Sequence, residues 1–362
     1  MNRIAGVFAS PEKDSSGKLL LKKWYDAGAR LFIGWASTNN TAGKNPTQDR
    51  QAQLAWRAAV RALGTDARYV DYPLPDWRTT PTSQDLDLMA ADSACAGIYL
   101  PDEPNQKVLN PSTQKWDMWR FSIPTLQQYL APLTAHPVLS TKLFVMNLDG
   151  TQITAAWGAY MGDDIAAVLD ACPKITHVLT DWHPRNNNPT RYGDDLPGKA
   201  VRVVGRLTPS RNMRRGAILE CAFEQLPNTV GGRGPTGPEI WAQYQGVVAE
   251  DATASPVEIV AFFPEAPKPN AGHIFDNTTD EQFAMCSKIM RDFAPTPVLT
   301  APPATELPME SKIELLAAIL DQADSTIQAQ AAQITTLQDQ NKELHERVSV
   351  LESRKYIVTV SQ

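Results

Sequence analysis

The stretch Ala96-Gly-Ile-Tyr-Leu-Pro-Asp-Glu-Pro-Asn105 decides how the chain is read. Ala96 to Leu100 is a short apolar run, the mark of a buried strand. Pro101 ends it, and Asp102 and Glu103 follow at once. Pro104 has no backbone N–H and favours an extended residue before it, so Glu103 is expected to be extended. A buried strand that runs straight into fixed carboxylates is how a parallel barrel presents catalytic acids at its rim.

On both sides of this stretch, strand-like and helix-like segments alternate. Strands are predicted over 3–8, 30–34, 67–71, 96–100, 142–146, 176–180, 216–219 and 257–262. Helices are predicted over 18–27, 47–63, 83–93, 124–133, 155–171, 199–206, 238–248 and 278–293. Gly28 and Gly64 close two of the helices, and Ser83 and Thr278 are candidate N-caps. The fold class is therefore α/β, a (β/α)8 TIM barrel over residues 1–293. An open doubly wound sheet would carry a glycine-rich phosphate turn after the first strand. The turn here, Ala9-Ser-Pro-Glu-Lys13, has no glycine.

Composition excludes several partners. Hydrophobic residues make up 43% of the 362, charged residues 20%, and the formal net charge is -6. A nucleic acid would ask for a basic face, so none is expected. No apolar run approaches the ~20 residues that span a bilayer. The start, Met1-Asn-Arg-Ile-Ala-Gly-Val-Phe8, enters a strand without a signal-peptide layout, and folding in a cytoplasm is expected. Cys95, Cys172, Cys221 and Cys286 are far apart and read as buried thiols. No cofactor and no metal site is expected.

Beyond the barrel the composition changes. Residues 294–308 hold Pro295, Pro297, Pro302, Pro303 and Pro308, a stiff linker. Residues 309–355 then repeat apolar side chains in heptads: Ile313, Leu316, Leu320, Ala323, Ile327, Ile334, Leu337, Leu344, Val348 and Leu351. Gln330 and Asn341 interrupt the series. This pattern predicts a coiled coil that joins copies of the chain through residues 313–351, as a dimer or a trimer. Residues 356–362 form a short β-prone tail.

At the carboxyl ends of the predicted strands the chain offers acids and aromatics, with an asparagine and a histidine, as candidates to bind or act on a substrate. They include Trp35, Asp71, Trp77, Asp102, Glu103, Asn147, Asp181, Trp182, His183 and Glu220. Basic residues are scarce there, which disfavours phosphate ligands. Sugars fit, because carboxylates accept bonds from hydroxyls and tryptophan faces stack on pyranose rings. His183 is read as a surface hydrogen-bonding group rather than a metal ligand.

A glutamate after strand four and another at the end of strand seven resemble the arrangement of the clan A glycoside hydrolases. Leu100-Pro-Asp-Glu-Pro104 also resembles an Asp-Glu-Pro variant in that group. The resemblance implies that Glu103 is the general acid/base and Glu220 the nucleophile of a retaining glycosidase. The chain departs from the pattern at Asp102, where the clan has asparagine, and at Phe262-Phe263, where it has tryptophan. A globular head, a proline-rich neck, a coiled coil and a β-prone tail together resemble bacteriophage fibre and spike proteins. That resemblance implies a virion appendage that binds, and in its enzymatic form cleaves, a polysaccharide or cell-surface glycan, with other virion proteins as partners. The alternative is a bacterial retaining glycosidase held in an oligomer by its coiled coil, outside any virion.

Overall fold

The structure is a computed structural model. It describes residues 3–8, 20–34, 46–74, 80–101, 103–104, 107–108, 112–114, 118–119, 122–150, 162–182, 194–221, 234–251, 256–267, 274–276 and 278–294, with Gln338 and Lys342 beyond them.

The barrel strands are β1 (Ile4–Phe8), β2 (Leu31–Ile33), β3 (Arg68–Asp71), β4 (Cys95–Tyr99), β5 (Leu143–Asp149), β6 (His177–Trp182), β7 (Arg214–Glu220) and β8 (Val257–Phe263). Each is followed by a helix: α1 (Leu20–Ala27), α2 (Pro46–Leu63), α3 (Ser83–Ala91), α4 (Ile123–Ala135), α5 (Gly162–Ala171), α6 (Leu196–Leu207), α7 (Gly237–Val248) and α8 (Asp280–Phe293). The strands pair in chain order and β1 closes onto β8, every pair parallel. The alternation read from sequence is thus a closed eight-stranded barrel.

Strand side chains alternate between two cores. Ile4, Phe8, Leu31, Ile33, Val70, Tyr99, Val145, Leu179, Ile218, Ile259 and Ala261 point inward and fill the lumen. Val7, Phe32, Tyr69, Ile98, Phe144, Val178, Leu219, Val260 and Phe262 point outward, into a larger cluster with the apolar faces of the helices. Glycine keeps the lumen from overfilling. A Cβ on Gly97 would lie 2.1 Å from the Leu143 carbonyl oxygen, and one on Gly216 would lie 2.4 Å from Leu179 Cδ2.

The helix starts differ by a residue from two of the expected caps. Thr82, not Ser83, caps α3: its hydroxyl accepts from the Asp85 N–H, and Asp85 bonds back to the Thr82 N–H. Thr279, not Thr278, caps α8 in the same reciprocal way with Gln282. In both, the residue chosen is the one with a partner three positions on. Helix α6 begins at Leu196, a full turn-start earlier than the predicted 199–206, with Pro197 in its first turn. Strand β5 runs longer than predicted, to Asp149, and β7 begins two residues early, at Arg214, and reaches Glu220 as expected. All four cysteines are free and buried, as expected.

Residues 305–362 form a second compact unit, separate from 1–304. Within it Gln338 and Lys342 are helical and exposed. The remaining heptad positions of 313–351, the prolines of the linker and the tail 356–362 lie outside the described residues. No helix among the described residues is long and apolar enough to cross a membrane.

Candidate active site at the carboxyl ends of the strands

Strand alternation selects which side chains reach the mouth of the lumen. Along β5, Val145 faces inward, so Asn147 and Asp149 lie on the same face, higher in the barrel. Leu179 puts Asp181 there on β6, and Ile218 puts Glu220 there on β7. Asp149 and Asp181 are register partners on adjacent strands. Asn147 is 1% exposed, Asp149 6% and Glu220 0%, so these are interior groups and not a solvated rim.

Glu103 joins them from beyond β4. Its φ is 47°, in the left-handed region, although it precedes Pro104. The extended conformation expected before proline is therefore not adopted. The Glu103 N–H donates to the Asn147 carbonyl at 3.2 Å, which ties the β4 extension to β5. A non-glycine residue in that region costs roughly 1 kcal/mol or more and persists only where its surroundings hold it. With the backbone turned this way, one carboxylate oxygen each of Glu103, Asp149 and Asp181 lies within 4.8 Å of the others. The Asn147 side chain supports the group by donating Nδ2–H to Asp181 Oδ2 at 2.9 Å. Close acids alone do not define a cation site, and none is assigned.

The other half of the mouth is aromatic. Phe8 packs edge-on against Tyr99 at 5.9 Å and against Phe263 at 5.6 Å, and Tyr72 packs against Tyr99 at 5.4 Å. These rings come from the ends of β1, β3, β4 and β8. Phe263 is the register partner of Glu220, so the aromatic and acidic halves meet there. Chemically, this is a cluster of carboxylates able to exchange protons and accept from hydroxyls, beside buried aromatic rings of which Phe263 is the partly exposed one.

The sequence candidates divide accordingly. Glu103, Asn147 and Asp181 are brought together at the mouth, and Glu220 faces inward on the neighbouring strand, beside Phe263. Asp71 is not. It follows the inward Val70, so its side chain points out of the barrel toward α2, where its carboxylate accepts from Arg57 Nε at 2.7 Å. The expectation that Asp71 meets a sugar is corrected by this phase: being last in a strand does not make a residue face inward. Of Trp182 only the backbone is described, paired with Leu219. Trp35, Trp77, Asp102 and His183 lie outside the described residues. Asp149, Phe8, Tyr72, Tyr99 and Phe263 are absent from the sequence candidates. The period-two signal through Val145 and Asn147 reaches Asp149 once the strand is extended past Met146.

No family model matches the chain. No curated protein matches it. Among solved structures it is similar to GH26C from Muricauda sp. MAR_2010_75, with 14% identity, TM-score 0.49, and 85% of this chain and 90% of that one covered. It is similar to the catalytic domain of the GH26 endo-beta-1,4-mannanase of Bacillus sp. JAMB-750, with 10% identity, TM-score 0.48, and coverage of 82% and 86%. It is also similar to TsXylA, an intracellular xylanase from Thermoanaerobacterium saccharolyticum JW/SL-YS485, with 11% identity, TM-score 0.44, and coverage of 78% and 95%.

Proposed function

We propose that the barrel binds a polysaccharide or cell-surface glycan at the carboxyl ends of its strands and cleaves it with retention. Glu103 acts as the general acid/base and Glu220 as the nucleophile. The observation that carries this reading is the divided mouth, with Glu103 grouped with Asp149 and Asp181, Glu220 facing inward at the end of the neighbouring strand, and Phe8, Tyr72, Tyr99 and Phe263 on the other side. A retaining glycosidase needs one protonated and one ionised carboxyl, ~5 Å apart. Protonated Glu103 gives its proton to the leaving oxygen while ionised Glu220 attacks the anomeric carbon. Glu103, now ionised, takes a proton from the water that releases the sugar from Glu220. The nearby Asp149 and Asp181 favour the protonated form of Glu103 at the start, because a neighbouring negative charge opposes its ionisation.

In the same proposal the heptads of 313–351 join two or three copies, and the assembled protein is an appendage of a virion. The order of head, proline-rich neck, heptad repeat and β-prone tail supports this. The second reading, a bacterial oligomeric glycosidase outside any virion, uses the same site and differs only in where the oligomer resides.

The test is kinetic. Glu220→Gln is expected to abolish turnover, because no glycosyl-enzyme forms. Glu103→Ala is expected to slow natural glycans strongly yet spare activated aryl glycosides, whose leaving group needs no proton. Azide should restore part of its rate. Parental rates in both variants would reject the pair, and a parent that binds glycan without turnover would leave binding alone as the function.

A further inference from the structure

Asn147 is attached to the acidic half of the mouth at two points. Its carbonyl oxygen accepts the Glu103 N–H at 3.2 Å, and its side-chain Nδ2–H donates to Asp181 Oδ2 at 2.9 Å. It is itself 1% exposed, beneath Asp149 on the same face of β5. Its amide is engaged with Asp181 rather than offered to a sugar hydroxyl, which is the role read for it from sequence. We propose that Asn147 is a positioning residue, holding Asp181 ionised and both Asp181 and Glu103 in place through one rigid strand. The proposal rests on the reading of the mouth as a glycosidase site for its consequence, but not for its test.

A hydrogen bond donated to a carboxylate stabilises its ionised form. The carboxylates grouped with Asp181 are Asp149 from β5 and Glu103 beyond β4, and Glu220 faces inward at the end of the neighbouring strand β7. Crowding by other carboxylates works against the ionisation of Asp181, and the Asn147 amide works for it. An ionised Asp181 in turn favours the protonated form of Glu103, which is the form an acid catalyst needs at the start. Asn147 touches no reacting atom in this scheme and acts only through its two partners.

The experiment follows Asp181 directly. In the full chain labelled at the aspartate carboxyl carbons, the Asp181 signal is assigned by its loss in Asp181→Asn. In Asn147→Leu the Asp181 carboxyl is expected to titrate about one pH unit higher than in the parent, since one donated bond to its ionised form is gone. On a methyl glycoside that the parent cleaves, whose poor leaving group needs the proton of Glu103, the variant is expected to lose kcat more than KM, with the alkaline limb of its pH profile moved down. The loss should largely vanish when Asn147→Leu is made in Asp181→Asn, because coupled residues are not additive. An Asp181 titration unmoved in a folded Asn147→Leu overturns the proposal. Should that variant not fold, the parent suffices: the Asn147 side-chain amide signal should follow the Asp181 titration and stop doing so in Asp181→Asn. An amide signal blind to that titration overturns the proposal as well. A moved titration in a protein that turns over no glycan supports the positioning role and rejects the proposed chemistry instead.

Discussion

Arg57 Nε lies 2.7 Å from Asp71 Oδ2, on the outer face of β3, with both side chains almost wholly buried. The pair belongs to a clamp that α2 places on the chain leaving β3. Arg57 Nη2 donates to the Tyr72 carbonyl at 2.6 Å, Gln53 Nε2 to the same oxygen at 2.8 Å, and Arg50 Nη1 to the Pro73 carbonyl at 2.7 Å. Asp71 in turn accepts the Tyr72 N–H at 2.9 Å. An ion pair outside the barrel thereby fixes the backbone that delivers the Tyr72 ring inside it. Burial raises the Asp71 carboxyl above its ordinary range, against the pull of Arg57.

Asp71→Ala is expected to cost about 3–5 kcal/mol of stability, because it leaves the Arg57 guanidinium buried without its partner. Urea unfolding of the isolated variant measures this. Glycan affinity of the fraction that remains folded should change little, because Gln53 and Arg57 still hold the Tyr72 carbonyl. A large loss of affinity at unchanged stability would return Asp71 to the binding site.

Gly97→Ala should be destabilising although it adds a single methyl group. The new Cβ would lie 2.1 Å from the Leu143 carbonyl oxygen, which is backbone and cannot swing aside. Overpacking of this kind costs typically ~1–3 kcal/mol, and more where the backbone must move. The expected readout is a lower thermal midpoint, with the spacing of β4 and β5 disturbed. A variant as stable as the parent would mean that these strands are not packed as described.

Glu258 carries a pH-dependent share of the stability. Its carboxylate bonds to His177 Nε2 at 3.2 Å and lies 3.6 Å from Arg214 Nε. The hydrogen bond from His177, helped by the charge of Arg214, holds it below the ordinary glutamate value of 4.5. A carboxyl that is more acidic folded than unfolded stabilises the fold above its unfolded value, and that contribution is lost as pH falls through the folded value. Glu258→Gln should therefore be less stable than the parent at pH 7, with the gap closing below pH 4.5. Denaturant unfolding across that range checks it. A gap independent of pH would assign the effect to packing.

Removing residues 305–362 is expected to leave a folded, monomeric barrel, since residues 1–304 form a compact unit by themselves. Light scattering should give a dimer or trimer for the full chain and a single copy for the shortened one. A shortened form of full oligomeric mass would move the interface onto the barrel and reject the heptads as its source.

Much of the barrel was legible in the sequence because its signals are local. Apolar runs, N-caps, Gly28 and the prolines act within a few residues, so strand and helix order follows without knowing what packs on what. The misplacements were local too. Thr82 and Thr279 displace their neighbours as caps only because Asp85 and Gln282 complete the reciprocal bonds. Glu103 departs from the pre-proline rule because its N–H finds Asn147, a partner 44 residues away that no local rule contains.

What the sequence by itself determined is the order of eight strands and helices and the acids and aromatics near the strand ends. What only the tertiary structure decided is which of them share a space. Asp71 and Asp149 both end a strand in the structure, and nothing within either segment says which way its side chain faces. Barrel closure sets the phase of each strand, and with it Asp71 turns out toward Arg57 while Asp149 turns in beside Asp181. A shift of one residue reverses a strand's faces. That phase is fixed by which neighbours bury Val70 and Val145, a property of the closed barrel and not of either segment alone.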